Sequence, residues 1–263
     1  MYKFSLLKKE ICLFKDSMSG LYHDDYGNNI DHVFKWLINY NFKFDGNIID
    51  IGSNIGLYSL AYKIIFPKAK IISFEPVTDI FKILKKNISL NSSFTSDISI
   101  VNMAISDKKG SLNLGYPYNI KNFDKSNNRY FANSGLISAQ TKQNKPYLAE
   151  SISIDEYVEL NKISKIDFIK IDVEGHEYQV LSGLVETIKN NRPIIIFEFN
   201  KITRKLSNFS INTYVEFINK IDYEIYGLKY GWAEKLDKLD LSIMNEKTKL
   251  KNYSDLIIFP LRR

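Results

Sequence analysis

The chain has 263 residues, of which 44% are hydrophobic and 25% are charged, so it can form one packed domain and is not globally disordered. Its net charge is +6 at pH 7, but the basic residues are mostly scattered lysines, so we expect no nucleic-acid partner. With one cysteine, Cys12, no secretion signal and no apolar run near the roughly 20 residues of a membrane span, we expect a cytoplasmic protein without a transmembrane segment.

The first 45 residues lie outside the periodicity of the rest of the chain. One amphipathic stretch, 31–39, predicts a helix with Val33, Phe34 and Leu37 on its apolar side. We expect residues 1–45 to cap the sheet, or alternatively to form a lid or a wall of the substrate site, and we take His32 as structural. Residues 46–263 then form the main domain, and nothing in the sequence indicates an oligomer.

From residue 47 onward, short β-branched runs alternate with amphipathic segments. The predicted strands are 47–52, 70–75, 98–102, 166–172 and 194–199, and the predicted helices are 57–66, 78–90 and 178–189. This alternation predicts an α/β fold in which helices cover both faces of a parallel sheet. The tail predicts a helix at 212–220 and strands at 223–228 and 255–259. No long helix separates these two strands, so we expect an antiparallel edge strand.

Residues 116–150 are polar and aromatic and show no periodicity. A loop of this length inside a compact domain is usually functional or disordered. Arg129 stands beside Tyr130 and other aromatic residues, a combination that suits a sugar ring carrying a phosphate or carboxylate. We therefore predict a substrate-side insert with Arg129 and Tyr130 as acceptor-binding residues, although Arg129 would also fit an exposed loop.

A glycine loop connects the first predicted strand of the sheet to the helix after it. Its sequence, Asp-Ile-Gly-Ser-Asn-Ile-Gly, occupies residues 50–56. Gly52 permits a tight turn, and Gly56 lets the helix begin close to the sheet with its N–H groups facing a ligand. Glu75 ends the next strand, at about the 20-residue distance typical of an acid that binds ribose hydroxyls.

The loop favours S-adenosylmethionine over a dinucleotide. A dinucleotide site has the pattern G-x-G-x-x-G, whereas this loop lacks one glycine and carries Asp50, which would repel a phosphate. Asp50 can instead face the ammonium group of S-adenosylmethionine, directly or through water. An NAD(P)-dependent oxidoreductase and a non-catalytic binding module remain as alternatives.

Further segments carry a resemblance to a known family. They are 50–60, 74–76, 102–107 with Gly110, 133–135, 153–157, 170–177 and Glu198. Segment 170–177, Lys-Ile-Asp-Val-Glu-Gly-His-Glu, is the most distinctive. In these segments the chain resembles the FkbM family of S-adenosylmethionine-dependent methyltransferases. The resemblance implies a class I (Rossmann-like) fold with seven mostly parallel strands, the last one antiparallel. It also implies O-methylation of a sugar in a surface polysaccharide or of a secondary-metabolite hydroxyl.

The same resemblance extends the set of expected ligand-binding residues. Ser53 and Asn54 would line the methionine and ribose, and Asn102 and Ala104 would lie against the adenine. Asn133 would return the insert toward the cofactor and contact the acceptor.

Asp172 ends a predicted strand at the same rim as Gly52, so it is expected beside the reacting groups. It would orient the acceptor or the methionine end of the cofactor. Glu174 is a candidate general base, or a helix-start acid favoured by the dipole. His176 is a candidate base near neutral pH, or an exposed turn histidine. These three residues are crowded in sequence and no further ligands are evident, so we predict no metal.

Overall fold

A computed structural model describes residues 2–14, 32–115, 135–136, 147–199, 207, 209–229, 236–239 and 253–261. The strands within these residues are β1 (Tyr2–Leu6), β2 (Lys9–Leu13), β3 (Asn47–Ile51), β4 (Lys70–Phe74), β5 (Ile98–Val101), β6 (Ala104–Ile105), β7 (Gly110–Gly115), β8 (Gly135–Leu136), β9 (Tyr147–Ile152), β10 (Ile166–Ile171), β11 (Ile194–Glu198), β12 (Tyr223–Lys229), β13 (Asp237–Lys238) and β14 (Tyr253–Pro260). The helices are α1 (His32–Asn39), α2 (Leu57–Ile65), α3 (Thr78–Leu90), α4 (Ile154–Leu160), α5 (Glu177–Ser182), α6 (Val185–Asn191) and α7 (Ile211–Lys220).

The main sheet has the strand order β13-β12-β14-β11-β10-β3-β4-β5. Strands β3, β4, β5, β10 and β11 are parallel, and β14 runs antiparallel to both of its neighbours. This arrangement confirms the predicted mostly parallel sheet of seven strands, to which the two-residue β13 is added. The antiparallel direction of the last strand is confirmed as well.

The expected edge position of that last strand is wrong. Strand β14 lies between β11 and β12, and its residues Leu256, Ile257 and Ile258 are all fully buried. A strand that is apolar on both faces is favoured in the interior of a sheet, because at the edge it would expose its unpaired backbone groups.

Helices cover both faces of the sheet, as predicted. Ile48 faces a core cluster with α1, α2 and α3, whereas its neighbour Ile49 faces a second cluster with α5, α6 and α7. Successive strand residues point to opposite faces, so the adjacent isoleucines of β3 supply both clusters. No helix among the described residues is long and apolar enough to cross a bilayer.

The helix predicted at 178–189 is instead two helices, α5 and α6. The break lies at Gly183, where an added Cβ would lie 2.1 Å from the carbonyl oxygen of Ser106. The chain therefore turns at the one residue type that tolerates this approach. Leu184 follows and is fully buried in the core.

The N-terminal segment adds a hairpin, β1–β2, that the sequence did not predict. Its turn places Leu7 and Lys8 at positive φ, 53° and 67°. Glycine or asparagine usually occupies such positions, so the sequence carries no turn signal here. The hairpin is tied to α3 by the side chain of Asn91, which bonds both backbone groups of Cys12 at 2.9 and 2.7 Å. The predicted helix is present as α1 and is buried in the same core cluster as the sheet. The division at residues 45 and 46 stays a proposal.

A small second sheet, of order β6-β9-β7-β8, flanks the main one. Strands β7 and β9 are antiparallel and enclose most of the predicted insert. The last of these strands, β9, begins inside the range 116–150, where the sequence suggested no regular structure. The small sheet therefore carries both ends of the insert.

Candidate active site

The parallel strands end at one rim, and the side chains singled out by the sequence follow those ends. Gly52 follows β3, Glu75 follows β4, Asn102 follows β5 and Asp172 follows β10. The chain proceeds from β3 toward β4 and β5 on one side, and from β10 toward β11 on the other. The rim between β3 and β10 is thus the switch point at which open α/β sheets bind their ligands.

The glycine loop is held tightly against strand β4. The backbone N–H groups of Gly52 and Ser53 both donate to the carbonyl oxygen of Phe74, at 3.0 and 2.9 Å. Gly56 has φ of +89°, and a Cβ there would lie 2.5 Å from Leu84 Cδ1. The loop therefore has a fixed shape, and Gly56 allows α2 to begin against α3.

Asp50 lies beneath the loop and has no exposed surface. Its Oδ2 accepts a hydrogen bond from Ser59 Oγ at 2.5 Å, and its Oδ1 has no hydrogen-bond partner among the described residues. Burial raises the pKa of Asp50, against the opposing effect of Lys170. In this position Asp50 would act on a ligand through the loop or through water.

Glu75 is nearly buried, and its carboxylate is held by two backbone groups. Oε2 accepts from the N–H of Asn54 at 3.0 Å, and Oε1 accepts from the N–H of Val77 at 2.9 Å. Burial raises the pKa of Glu75 to about 7, although both hydrogen bonds favour the charged form. The acid is thereby fixed beside the glycine loop, while the hydroxyl of Ser53 donates to the carbonyl oxygen of Asp50 at 2.8 Å.

The two residues expected beside the adenine lie in different surroundings. Asn102 is exposed, and its amide donates to the carbonyl oxygens of Glu75 at 2.8 Å and Pro76 at 3.0 Å. Ala104 opens β6 and is buried in the core. Asn102 therefore braces the loop that carries Glu75.

Lys170 is a buried cation among carboxylates. Its Nζ lies 2.8 Å from Asp172 Oδ2 and 4.2 Å from the ring centroid of Tyr58. Burial lowers the pKa of Lys170, but the charges of Asp172 and Asp50 outweigh burial and the net pKa is raised. The lysine thus stays charged and balances these two acids.

Three carboxylates meet beyond this ion pair. One oxygen each from Asp172, Glu174 and Glu198 lies within 4.8 Å of the other two. Burial, followed by the charges of neighbouring acids, raises the pKa of Glu174 to about 8 and that of Glu198 to about 10. At neutral pH the cluster therefore retains protons, and its donor set is one that could also hold a divalent cation.

The sequence predicted His176 beside Asp172 and Glu174, but His176 is not a member of this cluster. The third member is Glu198 instead. The ring of His176 is buried, and its Nε2 lies 2.9 Å from Ser106 Oγ. Burial lowers the pKa of His176 to about 4. Glu177, at the start of α5, accepts from the N–H of Gly175 at 3.0 Å and so caps its own turn.

The structure also brings a histidine–aspartate pair to this rim that the sequence did not suggest. His32 Nε2 lies 2.7 Å from Asp255 Oδ2, although 223 positions separate the two residues. Asp255 pairs in register with Glu198 on β11. No local pattern could have joined His32 to this rim. Glu198, one of the residues that carry the family resemblance, ends β11 and could have been placed at the rim by the rule that located Asp172.

The predicted acceptor-binding residues Arg129, Tyr130 and Asn133 lie outside the described residues. What the described rim shows is a strong excess of acids over the one buried lysine. A sulfonium and ammonium cofactor would reduce the repulsion among these acids, whereas a pyrophosphate would add to it. The residues at the rim therefore fit S-adenosylmethionine and do not fit a dinucleotide.

Comparison with known proteins points to the same chemistry. A family model described as the methyltransferase FkbM domain matches residues 50–225. "Methyltransferase sdnD" from Sordaria araneosa is 31% identical over 164 residues, which is 53% of this chain and 60% of that protein. The "hexuronic acid methyltransferase AglP" from Haloferax volcanii is 26% identical over 188 residues, or 70% of each chain.

Among solved structures, an FkbM methyltransferase from Methylobacillus flagellatus superposes with a TM-score of 0.52 at 15% sequence identity. The match covers 83% of this chain and 44% of that one, so the present chain spans less than half of that protein. At this identity the likeness concerns the fold alone.

Proposed function

The chain belongs to the FkbM family of S-adenosylmethionine-dependent methyltransferases, and on that premise we propose that it methylates a hydroxyl group of a small molecule or sugar. The observation that carries this proposal is the single rim where the loop of Gly52 and Glu75 adjoins the carboxylates of Asp172, Glu174 and Glu198. The glycine loop and Glu75 suit the cofactor, and the three carboxylates suit a hydroxylated acceptor.

On the cofactor side, we propose the following contacts. Glu75 accepts hydrogen bonds from the ribose hydroxyls, the backbone of Gly52 and Asn54 lies along the methionine and ribose, and carboxyl oxygens at the rim face the positive sulfonium. When bound, S-adenosylmethionine supplies a methyl group that is open to in-line displacement. The structural contribution of the chain is to hold that methyl group toward the strands β10 and β11.

On the acceptor side, Asp172 is our choice for the residue that receives the hydroxyl proton. Lys170 balances its charge at 2.8 Å, whereas Glu174 and Glu198 hold protons near neutral pH. Protonated carboxyl groups can donate hydrogen bonds to further hydroxyls of the acceptor. His176 is tied to Ser106 and is largely uncharged at neutral pH, so we give it a positioning role at the turn.

The acceptor class is proposed from two supports. The cluster of three acids suits a compound rich in hydroxyls, and one relative is named for a hexuronic acid, that is, a sugar. Arg129, Tyr130 and Asn133 stay proposed acceptor contacts, with the insert on the acceptor side. A role in polysaccharide or secondary-metabolite biosynthesis is part of the same proposal.

The test begins with calorimetric titration of the wild type and Glu75→Gln with S-adenosylmethionine, and with NAD as the control ligand. We expect binding by the wild type, a loss of at least about tenfold in the variant for a charge-assisted contact, and no binding of NAD. Equal binding by both proteins would exclude the ribose role of Glu75.

Methyl transfer is then measured with radiolabelled cofactor on neutral sugars, uronic acids and simple alcohols. Alkali treatment separates a stable methyl ether from a labile methyl ester. We expect an ether, together with loss of turnover but not of cofactor binding in Asp172→Asn. A labelled ester as the sole product would contradict O-methylation of a hydroxyl.

A further inference from the structure

A chain of hydrogen bonds leads from the small sheet to the loop that carries Glu75. Tyr147 is the first residue of β9 and lies near the end of the predicted insert 116–150. Its hydroxyl accepts from the backbone N–H of Thr78 at 3.1 Å and also shares a hydrogen bond with Thr78 Oγ1. Thr78 Oγ1 in turn donates to Asn102 Oδ1 at 3.1 Å.

This series of hydrogen bonds ends at the backbone around Glu75, the acid proposed to bind the ribose. The amide nitrogen of Asn102 donates to the carbonyl oxygens of Glu75 and Pro76, at 2.8 and 3.0 Å. Tyr147, Thr78 and Asn102 thus hold the two peptide groups that follow Glu75 in the chain. They come from three separate elements, so only the assembled fold joins them.

The start of helix α3 explains why a tyrosine from another sheet is needed. The residue at its N-cap is Val77, whose side chain makes no capping bond. Glu75 therefore accepts the N–H of Val77, and Tyr147 accepts that of Thr78. Helix starts that lack such acceptors lose stability, and here the substitute acceptors also determine where Glu75 lies.

We propose that Tyr147 is a positioning residue for the cofactor, whose hydroxyl acts through Thr78 and Asn102 to hold Glu75 in place for the ribose. This inference rests on the ribose contact proposed above for Glu75. Without the hydroxyl, the N–H of Thr78 loses its acceptor, and Thr78 Oγ1 keeps only its bond to Asn102. Asn102 is then less fixed, and the loop at Glu75 has more than one accessible position.

The test is a double-mutant cycle on the affinity for S-adenosylmethionine, measured by calorimetry on the full chain. Tyr147→Phe removes only the hydroxyl, and we expect it to raise the Kd about fivefold, as for one lost neutral hydrogen bond. Thr78→Val should give a similar loss that does not add to the first. In the Glu75→Gln background, Tyr147→Phe should change the Kd by less than about twofold, because the residue it positions is already impaired.

The matched control is Tyr226→Phe. The hydroxyl of Tyr226 donates to Glu224 at 2.7 Å on strand β12, so this variant also loses one tyrosine hydroxyl bond, but in the main sheet and not in the small one. We expect an unchanged Kd in the control. Adenosine and 2′,3′-dideoxyadenosine supply a second readout: Tyr147→Phe should weaken the first ligand and leave the second unaffected.

An unchanged Kd in Tyr147→Phe would overturn the inference. An equal loss in the wild-type and Glu75→Gln backgrounds, or an equal loss for both adenosines, would overturn it too, since a merely structural role predicts these results. If the wild type binds no S-adenosylmethionine, the proposed function fails first and the inference fails with it. Binding by the wild type without coupling to Glu75 removes the inference alone.

Discussion

Gly52 and Asp172 follow two neighbouring strands, β3 and β10, and a Cβ added to Gly52 would lie 1.9 Å from the carbonyl oxygen of Asp172. The two halves of the site, cofactor loop and acid cluster, therefore touch through their backbones. The same glycine has φ of +83°, so both space and conformation exclude a side chain there.

Gly52→Ala should therefore be strongly destabilising. We expect a loss of about 3 kcal/mol in the free energy of unfolding, because backbone atoms must move to relieve the contact. Urea denaturation of the variant and the wild type measures the loss. Gly110→Ala is the matched control, since its Cβ would have only Ser151 Oγ nearby at 3.8 Å. Similar midpoints for the two variants would contradict the close packing of the halves.

Lys170→Met should destabilise the fold by about 3 kcal/mol, because Asp172 and the buried Asp50 would lose their counterion. The double variant Lys170→Met/Asp172→Asn should recover part of that loss, since one uncompensated charge is removed. Thermal and urea unfolding of the three proteins measure the effect. A double variant that is no more stable than the single one would show that the ion pair does not govern the energetics of this buried region.

The pKa of about 10 for Glu198 predicts a stability that declines with rising pH. Between the unfolded pKa of about 4.5 and the folded value, the native carboxyl holds a proton that the unfolded chain has lost. Stability from this group is therefore present at low pH and is lost as the pH rises through the folded pKa. Glu198→Gln, which resembles the protonated acid, should gain stability relative to the wild type from pH 6 to pH 9.

Unfolding midpoints at these two pH values check the Glu198 prediction. Glu150→Gln, on the exposed side of β9, serves as the control and should show no such trend. A constant difference between Glu198→Gln and the wild type would mean that Glu198 is ionised in the folded protein.

The pKa of about 4 for His176 predicts the opposite slope at acid pH. Between about 4 and the unfolded value near 6.5, the unfolded chain binds a proton that the buried ring does not. Stability therefore falls as the pH drops through this window. In His176→Gln, where the side-chain amide replaces Nε2 toward Ser106, this dependence should be absent. Urea titrations of the wild type and His176→Gln at pH 7 and pH 5 measure this dependence. An equal loss of stability in the two proteins at pH 5 would contradict a buried neutral imidazole.

The cofactor side could be predicted from the sequence because its signals are local. One strand–helix–strand unit sets the distance between the loop at Gly52 and the acid at Glu75. The backbone conformation explains the glycine, and the hydrogen bonds of a ribose explain the acid. Glu174 and Asp172 could be placed at the rim for the same reason. Roles for the individual residues at the site stay proposals until binding is measured.

The acid cluster and its surroundings could only be partly predicted. His176 stands two residues from Glu174 in sequence, but the turn of Glu174 and Gly175, with φ of 53° and 105°, separates their side chains. Glu198 enters the cluster from the neighbouring strand. A linear pattern does not specify which side chains a tight turn brings together, so the cluster contains Glu198 and not His176.

The sequence alone determined the class of fold, the order of its parallel strands and helices, and the position of the cofactor loop. These features depend on periodicity and turn chemistry within about 30 residues of one unit. The tertiary structure decided what depends on long-range pairing. It placed β14 inside the sheet, joined His32 to Asp255 across 223 positions, and brought Tyr147 of the small sheet to the helix start beside Glu75. Such contacts are selected by packing and hydrogen-bond satisfaction in the whole molecule, and no local segment encodes them.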